Sequence, residues 1–201
     1  LIGIIDYGAG NLKSVEKAFQ HLGEEVIITG DRDILLRADK VVLPGVGAFG
    51  EAMKQIRELR IDSVIREIVD MEKPLLGICL GLQLLFESSE ENKGIKGLGI
   101  LSGKVLRIPD EADLKVPHVG WNSLQLQNHG RLFKGISPES YVYFVHSYYL
   151  KAQDESIVKA ATDYGVRIHA SVEQGNIFGC QFHPEKSSDV GLHILGNFAD
   201  L

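Results

Sequence analysis

The sequence has only two cysteines, Cys79 and Cys180, among 201 residues. Two thiols cannot build a disulfide framework. They suit a reducing compartment, where a single cysteine can serve as a nucleophile. The sequence also lacks a surplus of positive charge: 21 basic against 27 acidic side chains leave a formal charge of −6. Such a surface repels phosphate backbones and anionic lipid, which argues against general binding to nucleic acid or membranes. No apolar run is long enough to span a bilayer. The opening residues 1–6 are apolar but few, with no basic leader and no small-residue cleavage site. They read as a first strand rather than a signal sequence, and the expected location is the cytoplasm. Repeats, low-complexity tracts and linkers are missing as well, so one domain over residues 1–201 is the simplest expectation. No spacing of His, Cys and carboxylates suits a metal ion. What is present is 44% hydrophobic residues and 24% charged, the balance of a globular protein with a substantial core.

The first half alternates two periodicities. Ile2 to Ile5 forms a short apolar run. Leu12, Val15, Ala18, Phe19 and Leu22 then recur at helical spacing and stop at Gly23. Val26 to Ile28 and Val41 to Leu43 read as further strands. Met53, Ile56 and Leu59 mark one helix face, and Ile61, Val64, Ile65 and Ile68 mark another. Leu75 to Ile78 is a fourth strand, and a helix begins directly after it at Leu80. This alternation predicts a mostly parallel sheet covered by helices on both faces. After about Glu90 the pattern changes. Residues 103–108, 123–126, 141–146, 157–162, 168–172 and 177–182 read as strands joined by turns, which adds antiparallel pairing. Val190, Ile194, Leu195 and Phe198 mark a last helix.

Gly77-Ile78-Cys79-Leu80-Gly81 lies between the fourth strand and its helix. A residue at so sharp a corner is forced into a strained conformation, and its neighbours must be small because a Cβ would clash. With serine, the same arrangement is the nucleophile elbow of hydrolases. The helix N-terminus favours a thiolate, and the Leu80 N–H points to where an oxyanion would form. A buried structural cysteine would also account for the pentapeptide taken alone.

His183 adds to it. The run Phe178-Gly179-Cys180-Gln181-Phe182-His183-Pro184-Glu185 reads as a strand entering a proline-stopped turn. In extended chain, His183 and Glu185 lie on one side. The carboxylate can hold one ring nitrogen while the other takes the thiol proton. Cys180 lacks glycine neighbours and reads as core. His118, His129, His146 and His169 read as structural or interface residues. The Gly45–Gly50 segment formally matches G-x-G-x-x-G. A dinucleotide site, however, wants an acidic residue ending a strand about 20 residues on, where this chain is helix-patterned.

The elbow, the distant His183 and the His183-Pro184-Glu185 tripeptide resemble the triad-type, class I glutamine amidotransferases. The resemblance covers essentially the whole chain and extends to residues 6–11, 44–50, 117–122, 144–148 and 182–187. It implies a flavodoxin-like α/β domain with added antiparallel strands and no cofactor. It also implies that Cys79 attacks the side-chain amide of L-glutamine. His183 would shuttle the proton, and Glu185 would hold His183. By motif position, Val46 and Gly47 join Leu80 as oxyanion donors, with the Gly45-Val46-Gly47 peptide expected to reorient when a partner engages. Gln83, Glu91, Ser147 and Tyr148 are the implied glutamine contacts. Asn11, Trp121, Tyr143 and Lys186 are the implied interface with a (βα)8-barrel cyclase subunit, the two chains forming a heterodimer through which ammonia passes. Competing readings are a glutaminase for anthranilate, carbamoyl phosphate or pyridoxal phosphate synthesis, a cysteine peptidase or esterase on the same elbow, and a non-catalytic regulatory subunit.

Overall fold

The computed structural model describes residues 1–8, 10–110 and 114–201; Ala9, within the 6–11 segment, lies outside the described residues. Strands and helices alternate through the first half: β1 (Ile2–Ile5), α1 (Leu12–His21), β2 (Val26–Thr29), α2 (Arg32–Arg37), β3 (Lys40–Leu43), α3 (Phe49–Glu58), α4 (Ile61–Asp70), β4 (Leu75–Ile78) and α5 (Leu80–Leu84). The second half supplies β5 (Ser88–Ser89), β6 (Gly103–Arg107), β7 (His118–Ser123), β8 (Gln125–Leu126), β9 (Tyr141–His146), β10 (Tyr148–Ala152), β11 (Val158–Tyr164), β12 (Val166–Gln174), β13 (Ile177–Cys180) and α6 (Ser188–Ala199).

The main sheet has eight strands in the order β2-β1-β3-β4-β13-β12-β11-β8. The pairs from β2 to β13 are parallel, and the remaining three are antiparallel. This bears out the expected α/β sheet with added antiparallel strands. Alternate side chains serve two cores. Ile2, Ile4, Val42, Leu76 and Ile78 pack with Val15 and Phe19 of α1 and Ile194, Leu195 and Phe198 of α6. Ile5, Val41, Leu43 and Leu75 pack on the other face with Leu35 of α2, Met53 of α3 and Ile65 of α4. Burial on both faces explains why these strands read as unbroken apolar runs.

The structure corrects the expectation in several places. Helix α2 has one buried residue, Leu35, in six, too few for a periodicity to stand out. Its Asp31 N-cap accepts from Ile34 N at 3.0 Å. Leu59, expected on the face of Met53 and Ile56, lies past the end of α3 and is exposed. The 123–126 strand is the end of β7, which starts at His118, followed by the two residues of β8. Strand β10 was not expected. It pairs with β6 in a separate three-stranded sheet. The expected 177–182 strand stops at Cys180, which frees the following residues to turn into the site.

The chain runs from β1 outward to β2 and then returns to β3 on the other side of β1. In open α/β sheets the crevice beyond the carboxyl ends of the strands near such a reversal is where ligands bind. The segments after β3, β4 and β13 carry Gly45–Gly47, Cys79 and His183 to that edge.

Candidate active site

Cys79 has φ 54° and ψ −111°, a strained conformation for a residue with a Cβ. Its neighbours explain how it is held there. A Cβ on Gly77 would lie 2.8 Å from Leu82 Cα, and one on Gly81 would fall inside the Leu43 carbonyl oxygen. The Cys79 N–H donates to Cys180 O at 2.7 Å. The corner is therefore clamped between β3 and β13, and the glycines are dictated by contact.

After β13, Gln181, Phe182 and His183 continue inward, fully or almost fully buried. His183 N donates to Tyr143 O at 2.9 Å, which ties the segment to β9. Residues Pro184–Lys186 then form a 3-10 turn, the proline-stopped turn expected, so His183 and Glu185 do not meet in extended chain. The turn still brings Glu185 onto the ring. Its Oε1 lies 2.7 Å from His183 Nδ1 and also accepts from Asn11 Nδ2 at 2.6 Å. The Glu185 side chain is wholly buried. A carboxylate can only accept, so His183 carries its proton on Nδ1. Nε2 is buried without a hydrogen bond on a wall shared with Cys79.

Burial alone would depress the His183 pKa. The Cys79 sulfur and then Glu185 favour the charged ring, and together they push it up to about 9. The native ring thus holds its proton where an unfolded histidine, near 6.5, has lost it. Stability from this group is complete below about 6.5 and drains away as pH rises through about 9. Glu185→Gln removes a charge that favours the imidazolium. Urea unfolding between pH 7 and 9 is therefore expected to show stability falling more steeply with pH in the wild type than in Glu185→Gln. Equal slopes would contradict the assignment.

Cys79 and His183 line a cavity of about 270 Å3 with Val46, Gly47, Leu80, Gln83, Glu91, Val145, His146, Ser147 and Tyr148. Every residue expected in the catalytic, oxyanion and glutamine-binding sets is here except Glu185, which stands behind His183. The size is at the lower end for a ligand site and suits a molecule as small as an amino acid.

The oxyanion segment has a conformation that the sequence did not reveal. The Leu80 N–H donates to the Gly45 carbonyl at 3.3 Å, so one expected donor is occupied by the segment carrying the others. Gly47 lies at φ +98°, where glycine is favoured. The phosphate reading of this loop fails physically. At the N-terminus of α3, the Phe49 N–H is taken by Glu91 Oε2 and the Gly50 N–H by Asn92 Oδ1, both at 2.8 Å. Gly50 lacks a side chain because a Cβ there would strike Asn92.

Tyr148 O is a node of the polar network. It receives Gln83 Nε2 at 3.0 Å and faces His146 Nδ1 at 2.9 Å. The carbonyl fixes the His146 tautomer, leaving Nε2 to accept from His118 Nδ1 at 3.0 Å. Burial pushes these rings down to about 3 and about 4, which keeps the pair neutral. Sequence reasoning did not find the Asn11–Glu185 bond, whose partners are 174 residues apart. It also missed Tyr7, whose hydroxyl donates to Pro44 O at 2.9 Å and pins the base of the Gly45–Gly47 segment. Neither leaves a local signal.

Of the expected interface residues, Trp121 and Tyr143 are register partners in the β7–β9 ribbon, with ring centroids 6.1 Å apart. Trp121 is 51% exposed, and Val119 and Tyr141 on the same ribbon face are exposed as well. Lys186 is exposed beside them on the 3-10 turn; Asn11 is half-buried against Glu185.

A strained cysteine at the strand-to-helix corner and a carboxylate-held histidine beside it, on a mostly parallel α/β sheet, are the features of a triad-type amidotransferase. The glutamine amidotransferase class-I family model matches residues 3–200, and the chain belongs to that family. Within it, the chain is 50% identical over 198 residues to the imidazole glycerol phosphate synthase subunit HisH of Bacillus cereus, covering 98% of this chain and 93% of that one. It is 49% identical to the HisH subunit of Methanocaldococcus jannaschii, over the full length of both. The fold is shared more widely. PurLQS from Thermotoga maritima matches with a TM-score of 0.77 at 20% identity, covering 99% of this chain and 97% of that one.

Proposed function

We propose that the chain is the glutaminase subunit of an imidazole glycerol phosphate synthase. The observation that carries the chemistry is the placement of Cys79 and the Glu185-held His183 in one cavity. In this reading the Cys79 sulfur attacks the glutamine δ-carbon, forming a C–S bond as the amide π electrons move to oxygen. His183 Nε2, whose ring already carries the proton given up by the thiol, passes it to the leaving nitrogen. The C–N bond breaks, ammonia departs and a γ-glutamyl thioester remains. Water, deprotonated by the same nitrogen, cleaves the thioester to glutamate and restores the thiol. Glu185 orients the ring and supports its positive charge.

Glutamine fits the polar groups of the cavity. Both Gln83 N–H groups are spent on Tyr148 O and Gln181 Oε1, so Gln83 offers the ligand an acceptor, suited to a substrate N–H. Glu91 gives one oxygen to Phe49 N–H; the other is the natural partner for the α-ammonium. Ser147 and Tyr148 provide backbone for the α-carboxylate. Rotation of the Gly45–Val46 peptide would release the Leu80 N–H and turn the Val46 N–H toward the developing oxyanion. Hydrolysis then becomes conditional on whatever stabilises the rotated peptide.

Ammonia in neutral water is mostly ammonium, which is not a nucleophile, so a synthetic use requires delivery along a protected path. The exposed Val119, Trp121 and Tyr141 face adjoins the cavity through Val145, the register partner of Val119. Such a face suits a protein partner. The identity to HisH subunits supports a (βα)8-barrel cyclase that turns the ribulosyl phosphate intermediate PRFAR into imidazole glycerol phosphate and AICAR. The test is glutamate release with and without that cyclase and its ligand: release should rise strongly with both present. Trp121→Ala should weaken the complex by at least tenfold in a titration. No response to the cyclase would overturn this choice of partner, and another synthase that did activate the chain would replace it.

A further inference from the structure

Gln181 sits between β13 and His183 and is completely buried. Its Oε1 accepts from Gln83 Nε2 at 2.9 Å, and its Nε2 lies 3.8 Å from Cys79 Sγ, within reach of a hydrogen bond to sulfur. The orientation of both amides follows from the network. The Tyr148 carbonyl can only accept, so Gln83 must present its amide nitrogen there. The same nitrogen supplies the second proton to Gln181, which must therefore present its oxygen. The Gln181 N–H groups are left facing the sulfur.

We propose that Gln181 is a further residue of the reaction, donating an N–H to the Cys79 sulfur and holding it, as thiolate, for attack. The proposal rests on Cys79 being the nucleophile. A hydrogen bond to the charged form favours that form, and this donor is fixed before substrate arrives because a backbone carbonyl sets its direction. The sulfur is then flanked by two groups with separate duties. His183 exchanges the proton, whereas Gln181 has none to lose and supplies a constant dipole. The same amide fixes the acceptor face that Gln83 turns to glutamine, so one buried side chain couples nucleophile and substrate pocket. Its carbonyl oxygen and amide nitrogen are both engaged, so neither half of the side chain can turn without breaking the other contact.

The test is the rate of Cys79 alkylation by iodoacetamide in the full chain, at pH 7 and pH 10, for wild type, Gln181→Met and Gln83→Met. His183 and Tyr7, and the cavity-lining Glu91, His146 and Tyr148, are unchanged in all three. Methionine keeps the length of the side chain and removes the donor. For Gln181→Met the rate at pH 7 should fall about tenfold, because the donor that favours the reactive thiolate is gone. At pH 10, where hydroxide rather than the amide drives deprotonation, the two rates should converge to within about twofold. Gln83→Met removes only the group that orients Gln181 and should give a smaller drop at pH 7 in the same direction. A merely structural role would slow alkylation by the same factor at both pH values, or not at all, and either result would overturn the proposal. So would a normal rate at pH 7 in Gln83→Met if Gln181→Met fails to fold. Glutamine hydrolysis by Cys79→Ala separates the two levels. Activity there removes the nucleophile reading itself, whereas an inactive Cys79→Ala with pH-independent effects at Gln181 removes only this assignment.

Discussion

Replacing Cys79 with alanine is expected to abolish glutamine-dependent synthesis in the assembled enzyme, by about four orders of magnitude or more, while synthesis from added ammonium salt continues. The size of the loss follows from the chemistry. Alanine has no nucleophile, no thioester can form, and the buried His183 has only water to activate. The sparing of the ammonium reaction follows from the structure. Cys79 is held by backbone contacts, with its N–H on Cys180 O and its carbonyl accepting from Gln83 N, and neither contact needs the sulfur. Relief of the strained φ of 54° is no gain for alanine, which has a Cβ in the same place, so the corner should persist. Formation of the cyclase product is the quantity to measure, with glutamine and with ammonium salt in parallel. Loss of both would assign Cys79 a structural role.

The second large effect is expected at Gly81. A Cβ there would overlap the Leu43 carbonyl oxygen, with the Leu43 and Pro44 carbonyl carbons close behind it. These are backbone atoms of β3 and of the root of the Gly45–Gly47 segment, and they cannot swing aside as a side chain would. Tyr7 pins the same root through Pro44 O. Gly81→Ala must therefore separate α5 from β3 or distort the corner. A cost of about 3–5 kcal/mol is expected, in the range reserved for forced backbone displacement. The comparison is Gly196→Ala in α6, where an added Cβ meets nothing within 4 Å. Helix propensity alone should make that change stabilising by up to about 1 kcal/mol. Denaturant midpoints of the two variants give the answer. A wild-type midpoint for Gly81→Ala would mean that the elbow is looser than the contacts imply. Glutaminase activity should be lost even where some Gly81→Ala protein folds, because the displacement falls on the oxyanion segment.

The sequence determined the parts whose signal is local. Short apolar runs marked β1, β3 and β4, the last two set off by Pro44-Gly45 and Pro74, because strands buried on both faces have no polar side to hide them. Helical spacing marked α1, α4 and α6, each of which lays one apolar stripe on the sheet. The elbow was legible because its glycines flank Cys79 in sequence, although the Leu43 carbonyl that dictates Gly81 comes from a distant strand, and His183 because Glu185 follows two positions later. Even there, the turn at Pro184 was expected but the pairing of His183 with Glu185 was argued for extended chain, since two residues at that spacing can meet in either geometry. Only the tertiary structure decided what depends on distant segments meeting. It decided that Asn11 leaves the start of α1 unserved to bond Glu185, that Gln181 lies on the Cys79 sulfur, and that the Gly45 carbonyl occupies the Leu80 N–H. The pairing of β10 with β6 is of the same kind. Their partners are far apart in sequence, so no local periodicity or propensity encodes them; the parallel sheet, once closed by β13, brings these groups within hydrogen-bond reach.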